Sequence, residues 1–138
     1  MFNLAVEIAR RFSELLDQRR YEELAAVLDP DCVYEFRDEK LQGVQNIIET
    51  YRANTEWGFD VFDRVEFESE VFPESNSTAK VQFVDRLSVG DADHRHECEQ
   101  IVMLNETEKI TRIVHRDLPG ESEALNEFMR RCGLSRPT

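Results

Sequence analysis

His115 and Asp117 stand two residues apart in a segment, Lys109 to Leu118, that reads as a strand. Residues i and i+2 of a strand share a face, so the two side chains project together. An aspartate beside a histidine orients the imidazole and raises its basicity, giving a candidate general base near neutral pH. Such a pair could remove a proton α to a carbonyl or activate water. The plainer alternative makes His115 a satisfied histidine near the rim of the fold and Asp117 a cap for the turn before Pro119. Tyr34, Tyr51 and Trp57 could wall a flat ligand or simply be core. His94 and His96 suggest a metal only if Glu97 or Cys98 joins them. Zinc and iron sites draw ligands from several elements. His94 falls in a polar run, Asp91 to Arg95, so this stretch is read as a solvated turn and no metal is expected.

Cys32, Cys98 and Cys132 are odd in number and lack metal-like spacing. They read as reduced thiols acting as small apolar residues. No Gly-rich phosphate loop is present, and neither a nicotinamide nor a flavin site is suggested, so no cofactor is expected. The formal net charge of −12 repels phosphate backbones and anionic lipid headgroups, which argues against nucleic acid and membrane surfaces as partners. No apolar run is long enough to span a bilayer. The first residues lack the basic start and apolar stretch of a signal peptide, so the cytoplasm is the expected compartment.

The elements that must position these groups follow from periodicity. Phe2, Ala5, Ile8, Ala9, Phe12, Leu15 and Leu16 form one stripe of a helix over roughly residues 3–18. Tyr21, Leu24, Ala25 and Leu28 make a second, shorter stripe that Asp29-Pro30 ends. The segment from Cys32 to Arg37 reads as a strand, followed by a turn to Gly43. Val44, Ile47, Ile48 and Tyr51 begin a third helix, with Trp57-Gly58 near its end. From Asp60 the period becomes two. Strands are expected over 60–72, with Glu66, Glu68 and Glu70 on a solvated face, and over 78–89, 94–104 and 109–118. Leu125, Phe128, Met129 and Cys132 form a last helix with Gly133 as its cap. One domain is expected over residues 1–134, with a loose tail over 135–138. Three helices cannot cover both faces of such a sheet. The expected fold is α+β, a cone-shaped curved antiparallel sheet wrapped around three helices, with a short C-terminal helix.

In this order of elements the chain resembles the nuclear transport factor two-like superfamily, and within it the SnoaL-like proteins. The resemblance rests on Phe12 to Leu16, Leu28 to Val33, Gly43 to Tyr51, Val102 to Asn105 and Lys109 to Ile113. It implies the cone and a pocket, not one activity. Ketosteroid isomerases of this fold use a tyrosine and two aspartates at positions that correspond here to Phe12, Phe36 and Gln100, so a steroid-type proton shuttle is not expected. The same overlay turns Phe36 and Gln100 inward, and with them Tyr34, Cys98, Thr111, Ile113, His115 and Asp117. Arg112 and Arg116 then join Glu97 and Glu99 in ion pairs on the outer face. SnoaL-like cyclases use an acidic residue toward the end of the sheet, and Asp117 is its nearest counterpart.

Two functions fit. In the first the chain is a small-molecule pocket protein with acid–base isomerase, cyclase or hydrolase chemistry. His115 or Asp117 moves the proton, and Gln100 and Tyr34 hold the oxyanion. Tyr34, Phe36, Tyr51, Trp57, Cys98, Gln100 and Ile113 line a site for a modest apolar or aromatic ligand. In the second the cone is filled and the chain is a non-catalytic binding or interaction module. A homodimer through the sheet is expected in both.

Overall fold

The computed structural model describes residues 3–134. The expected tail over 135–138 and the first residue of the helical stripe, Phe2, lie outside the described residues.

Helix α1 (Leu4–Asp17) starts where the Asn3 side chain accepts from the Val6 N–H at 3.1 Å. Its stripe of Ala5, Ala9, Phe12 and Leu15 is buried. Arg19 ends the turn in the left-handed region, at φ 58, and Arg20 N–H closes onto the Leu15 carbonyl. Helix α2 (Tyr21–Val27) follows at once and buries Leu24. Strand β1 (Leu28–Phe36) begins directly after it. Asp29-Pro30 therefore lies inside the strand and not in a break before it. Pro30 has no N–H to give the ladder, and the register of β1 shifts between Leu28 and Val33. Residues expected to form a turn hold a short edge strand, β2 (Glu39–Gln42), paired antiparallel with β1.

Helix α3 (Val44–Val61) runs past Trp57-Gly58. Asp60 and Val61 are thus helical, not the start of a strand. Strands β3 (Arg64–Pro73), β4 (Thr78–Val89), β5 (Ala92–Leu104) and β6 (Ile110–Asp117) form an antiparallel meander. Three reversals bring β6 back beside β1 in the same direction. The six-stranded sheet, in order β2-β1-β6-β5-β4-β3, is therefore mixed: the β1–β6 pair is parallel where an antiparallel sheet was expected. The sheet is curved and open. Helix α4 (Glu121–Arg131) closes one end and is capped by Gly133 at φ 75, with Leu134 N–H on the Met129 carbonyl.

The helix-covered inner face carries two apolar clusters. Phe12, Leu15, Leu24, Tyr34, Ile47, Val81 and Ile113 belong to the first, under α1, α2 and the start of α3. The second gathers Phe62, Leu87, Leu125, Phe128 and Met129 under α4. The outer face carries Glu66, Glu68 and Glu70 exposed, as their alternation predicts.

Candidate functional site

Between the two clusters the inner face turns polar. Register places Gln100 of β5 opposite His115 of β6, and Cys98 opposite Asp117. Tyr34 and Phe36 of β1 stand opposite Ile113 and His115. Pleating sends all of these to one face.

A continuous hydrogen-bonded chain runs through them. Tyr51 Oη donates to Gln100 Oε1 at 2.8 Å, from the middle of α3. Gln100 Nε2 donates to Tyr34 Oη at 3.2 Å and meets His115 Nδ1 at 3.2 Å. His115 Nε2 meets Asp117 Oδ1 at 2.9 Å, and Arg37 Nε donates to Asp117 Oδ2 at 3.0 Å. These partners fix the proton positions. A carboxylate can only accept, so His115 Nε2 carries hydrogen. An amide nitrogen can only donate, so Nδ1 holds the lone pair. Burial alone would raise the Asp117 carboxyl, but the hydrogen bonds from His115 and Arg37 outweigh it and hold the group below its ordinary value. Burial pushes the Tyr34 and Tyr51 phenols up, so both stay protonated.

Tyr34 and Gln100 are 5% and 4% exposed, Ile113 is fully buried, and Phe36, Cys98 and His115 are half-buried. Tyr34 packs against Phe36 at 5.2 Å and against Tyr51 at 5.4 Å between ring centroids. Trp57 does not join them. It packs edge-on against Phe62 at 5.7 Å, in the second cluster. Burial pushes the Cys98 thiol up to about 12, so it is no thiolate at neutral pH.

His94 is not in a solvated turn, because β5 begins at Ala92 and holds it on the same strand as His96. Both share the inward parity of Cys98 and Gln100. His94 stacks on Phe128 at 5.0 Å, and its Nε2 is buried with no hydrogen-bond partner among the described residues. Burial lowers its pKa. The folded state therefore takes the His94 proton later than the unfolded chain does. Its contribution to stability is present above the ordinary value of 6.5 and is lost as pH falls below it. A His94→Phe variant is expected to remove that loss, measured as a smaller difference in Tm between pH 7.5 and pH 5 than in the parent protein. An unchanged difference would show that folding leaves the proton affinity of His94 unaltered.

Sequence reasoning missed two groups. Arg37, in the left-handed region at φ 53 just after β1, anchors Asp117. Asp85 sits on β4 at the inward parity of Val81, Phe83 and Leu87, opposite Phe67 and His96. An acid at an apolar position of a period-two strand was the available signal. On the outer face Arg116 pairs with Glu99 at 3.6 Å as expected, whereas Arg112 pairs with Glu35 and Glu97 with Arg95.

Two grooves open elsewhere. One of about 710 Å³ lies where Arg19 stacks on Phe59 and Arg52 on Tyr21; Phe59 packs in turn against Phe67 on the inner face. The other, of about 340 Å³, lies between Arg64, Arg86, Asp93 and His94. Neither is lined by His115, Asp117 or Gln100. Among the described residues no three His, Cys, Asp or Glu side chains are grouped to hold a metal ion, and no helix is long and apolar enough to cross a membrane.

No protein-family model and no curated protein matches this sequence. Solved structures do. The chain is similar to a provisionally assigned polyketide cyclase of Xanthomonas campestris pv. campestris, with a TM-score of 0.69 and 10% identity over 94% of this chain and 96% of that one. It is similar to TerC co-crystallized with polyporic acid, with a TM-score of 0.70 and 12% identity over 91% and 98% of the two chains. It is also similar to an LEH-like epoxide hydrolase of M. tuberculosis, with a TM-score of 0.65 and 17% identity over 92% of each. Likeness at these identities speaks for architecture. The chain has the nuclear transport factor two-like fold of the SnoaL-like type, an α+β cone with an open, mixed sheet.

Proposed function

We propose that this chain binds a modest apolar or aromatic carbonyl compound against the polar band of the inner face and moves a proton on it. The observation that carries this is the chain of hydrogen bonds from Tyr51 through Gln100 and His115 to Asp117. Asp117, held ionised by Arg37, fixes the His115 tautomer and stabilises the imidazolium formed when Nδ1 takes a proton. Nδ1 accepts from Gln100 in the resting structure. Proton abstraction therefore requires the Gln100 amide to turn from the imidazole to the substrate oxygen, where it and the Tyr34 hydroxyl meet the developing oxyanion. The names of the structural neighbours, a provisionally assigned polyketide cyclase, an LEH-like epoxide hydrolase and a protein co-crystallized with polyporic acid, support small-molecule chemistry in this cone.

The test is α-proton exchange of a small aryl ketone in deuterated buffer, followed by NMR. His115→Ala is expected to lower the enzyme-dependent rate about 100-fold and Asp117→Asn by a similar factor, with the far-UV circular dichroism unchanged. Parental rates in both variants would remove His115 and Asp117 from the reaction.

A second reading has its own support: Tyr34, Gln100 and Ile113 are buried, and the two grooves lie elsewhere. In it the cone is filled and the chain is a binding or assembly module. A homodimer through the outer face of the sheet fits both readings. There Val84 and Ile101 lie among the Glu68–Arg86, Glu97–Arg95 and Glu99–Arg116 pairs. Three free thiols suit a cytoplasmic setting. Native mass spectrometry separates the readings. A co-purified small molecule favours the pocket, and a ligand-free dimer favours the module.

A further inference from the structure

The larger groove, of about 710 Å³, shares no residue with the hydrogen-bonded chain from Tyr51 to Asp117. Its volume falls within the roughly 300–1,000 Å³ of small-molecule sites. Helix α3 forms one wall. Arg52, Glu56, Phe59 and Asp60 stand there at i, i+4, i+7 and i+8, so they share one helix face. The other wall is the turn between α1 and α2, with Arg19 and Tyr21. Each wall lays an arginine on a ring of the other. Arg19 Cζ stands 4.7 Å from the centroid of Phe59, and Arg52 Cζ 5.0 Å from that of Tyr21.

The two guanidiniums differ in their surroundings. Arg52 is ion-paired with Glu49 of its own helix. Among the described residues Arg19 makes no ion pair, and neither do Glu56 and Asp60, although all three line the groove. A chain of net charge −12 thus holds one guanidinium apart from two carboxylates across the same opening. Backbone geometry adds to this. Arg19 follows the α1 C-cap at φ 58, a position that glycine fills with least strain. The turn itself does not call for a long side chain there; what arginine adds is the cation over Phe59. Phe59 is the large hydrophobic residue left exposed among the described residues, at 41%.

We propose that this groove binds a zwitterionic amino acid with an aromatic side chain. The carboxylate accepts from the Arg19 guanidinium, the ammonium donates to Glu56 and Asp60, and the ring lies on the exposed part of Phe59. Glu56 and Asp60 flank Phe59 at i−3 and i+1, so both charge partners meet beside one ring within about one turn of α3. A molecule with both charges on one carbon satisfies the two sets together. A carboxylate alone meets repulsion from Glu56 and Asp60, and an amine alone meets repulsion from Arg19. Arg52, neutralised by Glu49 and stacked on Tyr21, closes the far end. This site goes beyond the functional reading above and does not depend on it.

Phenylalanine, phenylpropanoate and phenethylamine are the probes, because the last two each lack one of the charges. Each is titrated into the protein while the backbone amide signals of Arg19, Glu56 and Phe59 are followed by NMR. Phenylalanine is expected to shift these signals saturably, and each singly charged probe to bind about tenfold more weakly or worse. Arg19→Gly suits the left-handed turn, so it keeps the fold and should lose phenylalanine binding about tenfold. Arg19→Lys should retain part of it. Glu56→Gln combined with Asp60→Asn should weaken phenylalanine binding but not that of phenylpropanoate. Three results would each overturn the proposal: no saturable shift in the parent protein, a singly charged probe binding as tightly as phenylalanine, or undiminished binding in Arg19→Gly.

Discussion

A Gln100→Leu variant is expected to be less stable than the parent by about 3–5 kcal/mol, a large share of the stability of a domain this size. Gln100 is 4% exposed and satisfies three partners, the buried Tyr34 hydroxyl, the Tyr51 hydroxyl and Nδ1 of the half-buried His115. Leucine fills similar space but offers neither donor nor acceptor. Tyr51 then keeps a buried O–H with nothing to receive it, and His115 a lone pair with no donor. Each such group costs about 1–3 kcal/mol in a low-dielectric interior, more than the net worth of the bond it had made. Tyr51→Phe removes only one partner and should cost about 1–2 kcal/mol. In the double variant the Tyr51 penalty is already gone, so the two losses should not add. Urea unfolding of the four proteins closes this cycle. Strict additivity would show that Tyr51 and Gln100 are not coupled.

The same residue shows what was legible in the sequence. Alternation puts Cys98 with Gln100 and His115 with Asp117, the inward parity that the family resemblance implies sets both pairs on one face, and the register joins them. Applied one step further, that parity also turns His94 and His96 inward. The polar run Asp91 to Arg95 hid this, because a hairpin end and a solvated turn share a composition. β2 was illegible because Glu39 to Gln42 carries a single apolar residue; it is a strand through its pairing with β1. The end of α3 was ambiguous because Trp57, Val61 and Phe62 fit a helix stripe and a strand equally well. The parallel neighbourhood of β1 and β6 leaves no local trace, since periodicity reports a face and not the strand beside it. Trp57 went astray for the same reason: its helix was right, but which cluster lay beneath its last two turns is a tertiary fact. Arg37 gave no signal as a lone arginine after a strand, and its link to Asp117 spans 80 positions.

Asp85→Asn is expected to stabilise the protein at neutral pH, by up to about 3 kcal/mol at pH 8. The folded carboxyl titrates near 6, against an ordinary 3.8, because burial and then Asp17 disfavour its charge. A group whose pKa is raised by folding gives its full contribution below the ordinary value and loses it as pH rises through the folded one. Below pH 3.8 Asp85 is protonated in both states and costs nothing. Between 3.8 and 6 the unfolded chain releases the proton while the folded chain retains it, and stability declines. Above 6 the folded chain carries a partly buried carboxylate beside Asp17, and the loss is complete. About two pKa units correspond to about 3 kcal/mol. Asparagine keeps the shape without the charge, so its advantage should be near zero at pH 3.5 and grow to a plateau above pH 7. Urea midpoints of both proteins across this range give the curve directly. A constant offset between them would mean that Asp85 titrates normally. A gain that grows with pH would show the fold retaining a costly acid among Phe67, Phe83 and Cys98, where packing alone would favour a neutral side chain. Such a cost is expected where a side chain is kept for something other than packing, and the pH dependence of stability measures it without a substrate.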